Sequence, residues 1–274
     1  MPNNRILFVS QVITPYLSTG AIADFGKELP QSLQEHGSEV RIFMPKFGAV
    51  NERRNQLHEV IRLSGMNITI DDNDRPLIVK VASLQPSRIQ VYFIDSDDFF
   101  IKSADDIDPV GSNRDDNDER AIFFARGTME TVKKLRWEPG IVQCAGWISA
   151  FAPAYLRRML NDCMSADIKI IYEVQPGKIS GKIDRRLVEK LADDGIKVDL
   201  AAMGYADKEP DTDLLHRIAI SNSNAVIIAD PDASPELLAF IEESKLPALP
   251  YAESSKGTES YREFYASLTN ASQN

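Results

Sequence analysis

The chain has 274 residues, enough for one large α/β domain or one and a half smaller ones. Hydrophobic residues make up 43% and charged residues 26%, a globular balance that excludes wholesale disorder. A formal charge of -10 argues against a nucleic-acid or anionic-membrane surface, either of which needs a basic patch.

In chain order, Arg5 to Ser10 is a short apolar run fit for a buried parallel strand. Ile22 to His36 carries apolar residues at helical spacing (Ile22, Phe25, Leu29, Leu33), and Gly37 stands where a helix C-cap belongs. Val40 to Met44 is a second strand, stopped by Pro45. From Leu57 to Asp95 the period changes. Leu57–Ile61, Asn67–Ile70, Leu77–Val81 and Ile89–Ile94 read as short strands of an antiparallel meander, with a turn at Asp71–Asp74. That turn lacks the spacing, glycine and distal glutamate of a calcium loop.

Asp95 to Asp116 reads as a long solvated loop. A helix follows over Asn117–Leu135, then strand Ile141–Cys144 and helix Trp147–Leu160. Next come strand Ile168–Glu173, helix Asp184–Asp193, a short piece at Lys197–Ala201 and a helix over Asp213–Ser221. Strand Ala225–Ala229 and helix Pro235–Ser244 close the alternation, residues 245–258 cross back over the domain, and a last helix spans Glu259–Leu268. The pattern predicts a single Rossmann-like, doubly wound, mostly parallel sheet with an inserted antiparallel meander. It divides into a body over 1–245 and a crossing segment with helix over 246–274.

Cys144 closes an apolar strand and Cys163 lies at a helix end; their spacing makes neither a disulfide framework nor a metal site. Both are read as reduced, which with the missing signal core and membrane span points to a cytoplasmic protein. No cofactor, metal or nucleic acid is expected. His36 is read as a helix-end residue and His216 as a helix-surface residue.

Several blocks resemble the N-terminal domain of bacterial glycogen and plant starch synthases. They are Pro15-Tyr16, Ser18-Thr19-Gly20-Ala21-Ile22-Ala23-Asp24 and Met44-Pro45-Lys46-Phe47-Gly48, then Asp116-Asn117 with Arg120, and Trp147 with Ala152-Pro153-Ala154-Tyr155-Leu156. The match runs from residue 5 to about 240. The resemblance implies one half of a two-domain Rossmann glycosyltransferase, with a nucleotide sugar or glucan as ligand. It marks Ser18, Thr19, Gly20, Asp24, Asp116, Asn117, Arg120 and Trp147 as vestigial substrate-binding positions.

The reactive groups that the resemblance implies are replaced. The lysine of the glycine-rich loop is Ser18 here, and its second glycine is Ala21. The family's His-x-His-Asp-Trp reads Gln143-Cys144-Ala145-Gly146-Trp147, and its Thr-x-His-Asn falls on Tyr172-Glu173-Val174-Gln175. Nothing after residue 245 resembles the family's second domain. No catalytic residue is therefore assigned. The expectation is a binding, regulatory or scaffolding module, with a protein partner or a homo-oligomer covering the cleft face. The rival is an active glucosyltransferase completed by a second chain; altered chemistry at Glu173, Asp24 or Cys144 is a third idea that no constellation supports.

Three alternatives are structural. Asp116 would cap the helix that starts at Asn117, with Arg120 paired to a loop carboxylate. Trp147 would be a core wedge. Asp24 would favour the dipole of its helix.

Overall fold

A computed structural model of the protein describes residues 4–18, 20–100, 108–163 and 167–270. Its centre is a ten-stranded sheet. The parallel strands are β1 (Arg5–Ser10), β2 (Glu39–Pro45), β6 (Ile89–Asp95), β7 (Ile141–Ala145), β8 (Lys169–Val174), β9 (Ala225–Ile228) and β10 (Ala248–Leu249). The antiparallel strands are β3 (His58–Glu59), β4 (Met66–Ile70) and β5 (Asn73–Leu84). The order is β10-β9-β8-β7-β1-β2-β6-β5-β3, with β4 paired to β5 off that path. The mostly parallel sheet with its antiparallel extension is the fold that the alternation predicts.

Strands covered on both faces have to be apolar at successive positions. Val9, Ile42, Phe43 and Met44 are each 0% exposed, so β1 and β2 form the middle of the core. From β1 the chain winds outward in two directions. Helix α1 (Ala21–Glu35) leads to β2 on one side; α3 (Ala152–Cys163), α4 (Leu187–Asp193) with α5 (Thr212–Ser221), and α6 (Pro235–Ser244) lead through β8, β9 and β10 on the other. Right-handed crossovers then place α1 on one face and α3, α5 and α6 on the opposite face. Helix α2 (Asn117–Leu135) joins the second group, packed against α3.

That winding leaves the α1 face of β7–β9 without a crossover helix. The terminal segment covers it. Helix α7 (Tyr251–Ser254) contacts β9, and α8 (Thr258–Asn270) lies against α1 and α7. Tyr261 and Tyr265 of α8 are buried in the core.

Local chemistry sets several details. Asp71 and Asp72 both take positive φ (48° and 60°), making the tight β4–β5 hairpin turn. Asp71 is held by the Arg186 guanidinium at 2.6 and 2.8 Å. An added Cβ at Gly26 would sit 2.9 Å from the Val12 carbonyl, so this glycine lets α1 close onto the loop after β1.

Four expectations need correction. The loop expected over Asp95–Asp116 lies partly outside the described residues, and its described start is not simply solvated, because Phe99 and Phe100 are buried against Phe123. The helix expected over Asp184–Asp193 begins only at Leu187. The helix expected from Trp147 is a short 3-10 turn (Trp147–Ser149) followed separately by α3. His216 is 4% exposed rather than on the surface, because α5 is buried continuously from Leu214 to Ile220. Its Nδ1 lies 2.8 Å from the Tyr172 hydroxyl, and burial pushes its pKa down to about 4.

Candidate functional site

In open α/β sheets ligands bind beyond the carboxyl ends of the parallel strands. Here that end holds a cleft of about 520 Å3 between α1, the ends of β8 and β9, and the α7–α8 segment. Helix α1 contributes Ile22, Asp24, Phe25 and Glu28; Glu173 and Gln175 come from the end of β8; Tyr251, Ser254 and Tyr261 come from the terminal segment. Three lining residues are carboxylic acids, and no lysine, arginine or histidine among the described residues lines the cleft.

The loop leading into α1 ends at Gly20, whose φ of 96° and ψ of -160° suit glycine alone. An added Cβ there would meet nothing within 4 Å. The Ala23 and Asp24 amides bond the Gly20 carbonyl (3.0 and 3.2 Å), which leaves the Ala21 and Ile22 amides of the first turn without an intrahelical acceptor. Ser18 is exposed, and Thr19 lies outside the described residues. Asp24 lines the cleft; its carboxylate accepts a 2.7 Å hydrogen bond from the Thr14 hydroxyl, which ties α1 to the preceding loop.

The other sequence-selected residues lie away from the cleft lining. Asp116 occupies the cap position of α2 but makes no side-chain cap bond; it pairs with Arg114, whose Nε lies 2.7 Å away. The expected cap is thus replaced by an ion pair. Asn117 does not cap the helix either; its side-chain amide donates to the carbonyls of Ser112 (2.9 Å) and Arg114 (2.8 Å) in the preceding loop.

Arg120 is 2% exposed and does not pair with a loop carboxylate as expected. Its guanidinium donates to the carbonyls of Phe99 (3.0 Å), Val110 (2.7 Å) and Gly111 (2.9 Å), and to the Asn117 amide oxygen. It sits beside the rings of Phe47 and Phe100, and burial pushes its pKa down to about 10. The block that resembles a ligand site is therefore a clamp on the segment between β6 and α2.

Trp147 is also enclosed, at 2% exposed. Gly146 before it has φ 81°, and an added Cβ would lie 2.8 Å from the Gln11 side-chain oxygen. Gln11 thus fills the space that a side chain at position 146 would occupy. Its oxygen also accepts from the Ile148 amide at 3.4 Å.

The polar centre of the cleft floor is Glu173. Glu173, 2% exposed, closes the cleft floor and accepts from Gln143, from Gln175 (3.0 Å) and from the Tyr261 hydroxyl (3.4 Å). Gln143 in turn accepts from the Tyr265 hydroxyl. Burial raises the Glu173 carboxyl to about 7, against the lowering effect of its three donors. Its only sequence signal is an acid closing the apolar run Ile170-Ile171-Tyr172. Burial also raises the Cys144 thiol, so this free cysteine is no nucleophile; the Cys163 side chain lies outside the described residues.

Among the described residues, no group of three or more His, Cys, Asp or Glu side chains is placed to hold a metal ion. Asp118, Glu119 and Asp184 converge instead on the Lys190 ammonium at 2.8 to 2.9 Å.

A family model described as the starch synthase catalytic domain matches residues 5–247. A glycogen synthase of Chlorobium luteolum is 35% identical over 191 residues, covering 69% of this chain and 39% of the relative. A glycogen synthase of Chlorobaculum parvum is 34% identical over 218 residues, covering 75% and 45%. The chain thus spans about two fifths of the length of the curated relatives it matches. Among solved structures, the catalytic domain of starch synthase IV from Arabidopsis thaliana, bound to ADP and acarbose, superposes with a TM-score of 0.66 at 16% identity. That match covers 90% of this chain and 50% of the other, and it shows the shared fold.

Proposed function

The chain belongs to the starch synthase catalytic-domain family, and from that membership we propose that it binds a sugar or glucan in its cleft without transferring glucose by itself. It then serves glucan metabolism as a binding, regulatory or scaffolding module, in the cytoplasm. The observation that carries this reading is the charge of the cleft. Glucosyl transfer from a nucleotide sugar must stabilise a leaving diphosphate with cations and aimed amides. Here Asp24, Glu28 and Glu173 line the space, and no described cationic side chain answers them.

The replaced positions support the same reading. Ser18 brings no charge, Ala145 and Gly146 bring no acid or base, and Gln143 is committed to Glu173 and Tyr265. The Arabidopsis relative is bound to ADP and acarbose. Of those two ligands, the nucleoside diphosphate is the one that carboxylates oppose. For location, no helix of the described residues is long and apolar enough to cross a membrane, and the buried free Cys144 suits a reducing compartment.

The test is a thermal-shift titration with ADP-glucose, UDP-glucose and maltooligosaccharides. A ligand that binds only the native state raises the melting temperature with dose. Maltooligosaccharides are expected to raise it, and nucleotide sugars are not. A dose-dependent rise with a nucleotide sugar overturns the reading.

One observation favours the rival, an active transferase completed by a second chain. Gly20 keeps a glycine-only conformation with open space at the α1 N-terminus, where amides can meet a phosphate. On that reading a nucleotide sugar stabilises the protein, and Gly20→Val abolishes the effect.

A further inference from the structure

We propose that the preferred ligand of the cleft is an amino sugar, a hydroxyl-rich ring that carries a protonated amine. The inference rests on the sugar-binding reading above and adds the charge of the ligand. The cavity, about 520 Å3, is of the size that encloses small molecules. Its walls combine two chemistries. Asp24 and Glu28 lie four residues apart and so share one face of α1, while Glu173 closes the floor from β8. Aromatic rings share the lining with these acids: Phe25 with its centroid 4.9 Å from that of Tyr261, and Tyr251, 42% exposed.

Aromatic faces beside carboxylates are the surroundings that attract an organic ammonium group. The same faces stack against the apolar side of a sugar ring, and the buried Glu173–Gln175 pair offers fixed polar atoms at the floor. Glu173 is more than nine-tenths buried and held by three donors, so this wall is built rather than incidental. No described cationic side chain lines the space, and the chain's formal charge of -10 adds to the negative field of Asp24 and Glu28. A neutral sugar gains nothing from that field, and a sugar phosphate is repelled by it.

The experiment is isothermal titration calorimetry of the full chain at low salt with glucosamine, glucose and N-acetylglucosamine, at pH 6, where Glu173 is largely protonated and offers polar atoms while Asp24 and Glu28 supply the field. Glucosamine is expected to bind roughly tenfold more tightly than the two uncharged sugars. Added salt should narrow that gap. The double variant Asp24→Asn/Glu28→Gln, checked for an unchanged melting temperature, should narrow it as well. Equal binding of glucosamine and glucose overturns this inference and leaves the sugar-binding reading standing. Preference for N-acetylglucosamine equal to that for glucosamine also overturns it, since charge is then irrelevant. Binding of none of the three sugars, with no response to maltooligosaccharides, overturns both.

Discussion

Replacing Glu173 with glutamine should reveal a pH dependence of stability that the native chain conceals. The carboxyl is raised from an ordinary value of 4.5 to about 7, chiefly by burial. A raised folded-state value means that the native state binds the proton more tightly than the unfolded chain does. Its contribution is fully present below 4.5 and is lost as pH rises through 7. At ~1.4 kcal/mol per pKa unit, the loss is about 3 kcal/mol between these limits. His216 works in the opposite sense over an overlapping window, because burial lowers it from 6.5 to about 4. Its contribution is present above 6.5 and is lost as pH falls through 4, so the two terms largely offset each other in the native protein.

Glutamine removes only the first term, and the network can accept it. One amide oxygen continues to receive Gln175 and Tyr261. The new NH2 group meets Gln143, whose own amide turns over to accept from it and donates to the Tyr265 hydroxyl oxygen. Denaturant unfolding can be followed by the fluorescence of Trp137 and Trp147, both buried. The variant should gain on the native protein by about 2–3 kcal/mol between pH 5 and pH 8. A difference that stays flat with pH would refute the raised, burial-shifted carboxyl assigned to Glu173.

Three further outcomes are expected. Arg120→Met should cost about 3 kcal/mol by leaving the carbonyls of Phe99, Val110 and Gly111 without their donor, read by urea unfolding. Arg120→Lys should not rescue it, since a point-charge ammonium cannot span the fork. Gly146→Asp, which would restore the acid that the family resemblance implies, should lower stability by about 2–3 kcal/mol, from left-handed backbone and collision with Gln11. Gln11→Ala in the same chain should recover part of that loss, as a double-mutant cycle in unfolding free energy would show. Tyr265→Phe should cost about 1 kcal/mol by removing the hydroxyl that anchors Gln143, measured as a lower melting temperature.

Much of the fold was legible because its signals are local. A strand buried on both faces must be apolar throughout, which located β1, β2, β7, β8 and β9 to within a residue or two. Helix α6 matches its predicted bounds, since Ser234 accepts from the Leu237 amide and Pro235 follows in the first turn. The Asp71–Asp72 turn was likewise readable from residue type. Strand β5 ran longer than predicted, Asn73 to Leu84, because pairing with β4 and β6 extends a segment whose own alternation is broken by Pro76.

The candidate site divided differently. Sequence chemistry established that the lysine and histidine positions implied by the resemblance hold Ser18, Gln143, Ala145 and Val174, because residue identity needs no coordinates. It also drew Gly20 and Asp24 to the cleft end of the first crossover. The tertiary structure alone decided that Arg120 clamps a segment, that Asp116 pairs with Arg114 instead of capping, and that His216 is buried. Each of these turns on partners or layers brought from elsewhere in the fold. Helix α8 shows the principle most fully. Its sequence specifies an amphipathic helix, but only the winding of the sheet leaves the α1 face of β7–β9 uncovered for it. Burial there sets the state of Glu173, because the cost of a charge depends on what surrounds it in space and not on its neighbours in the chain.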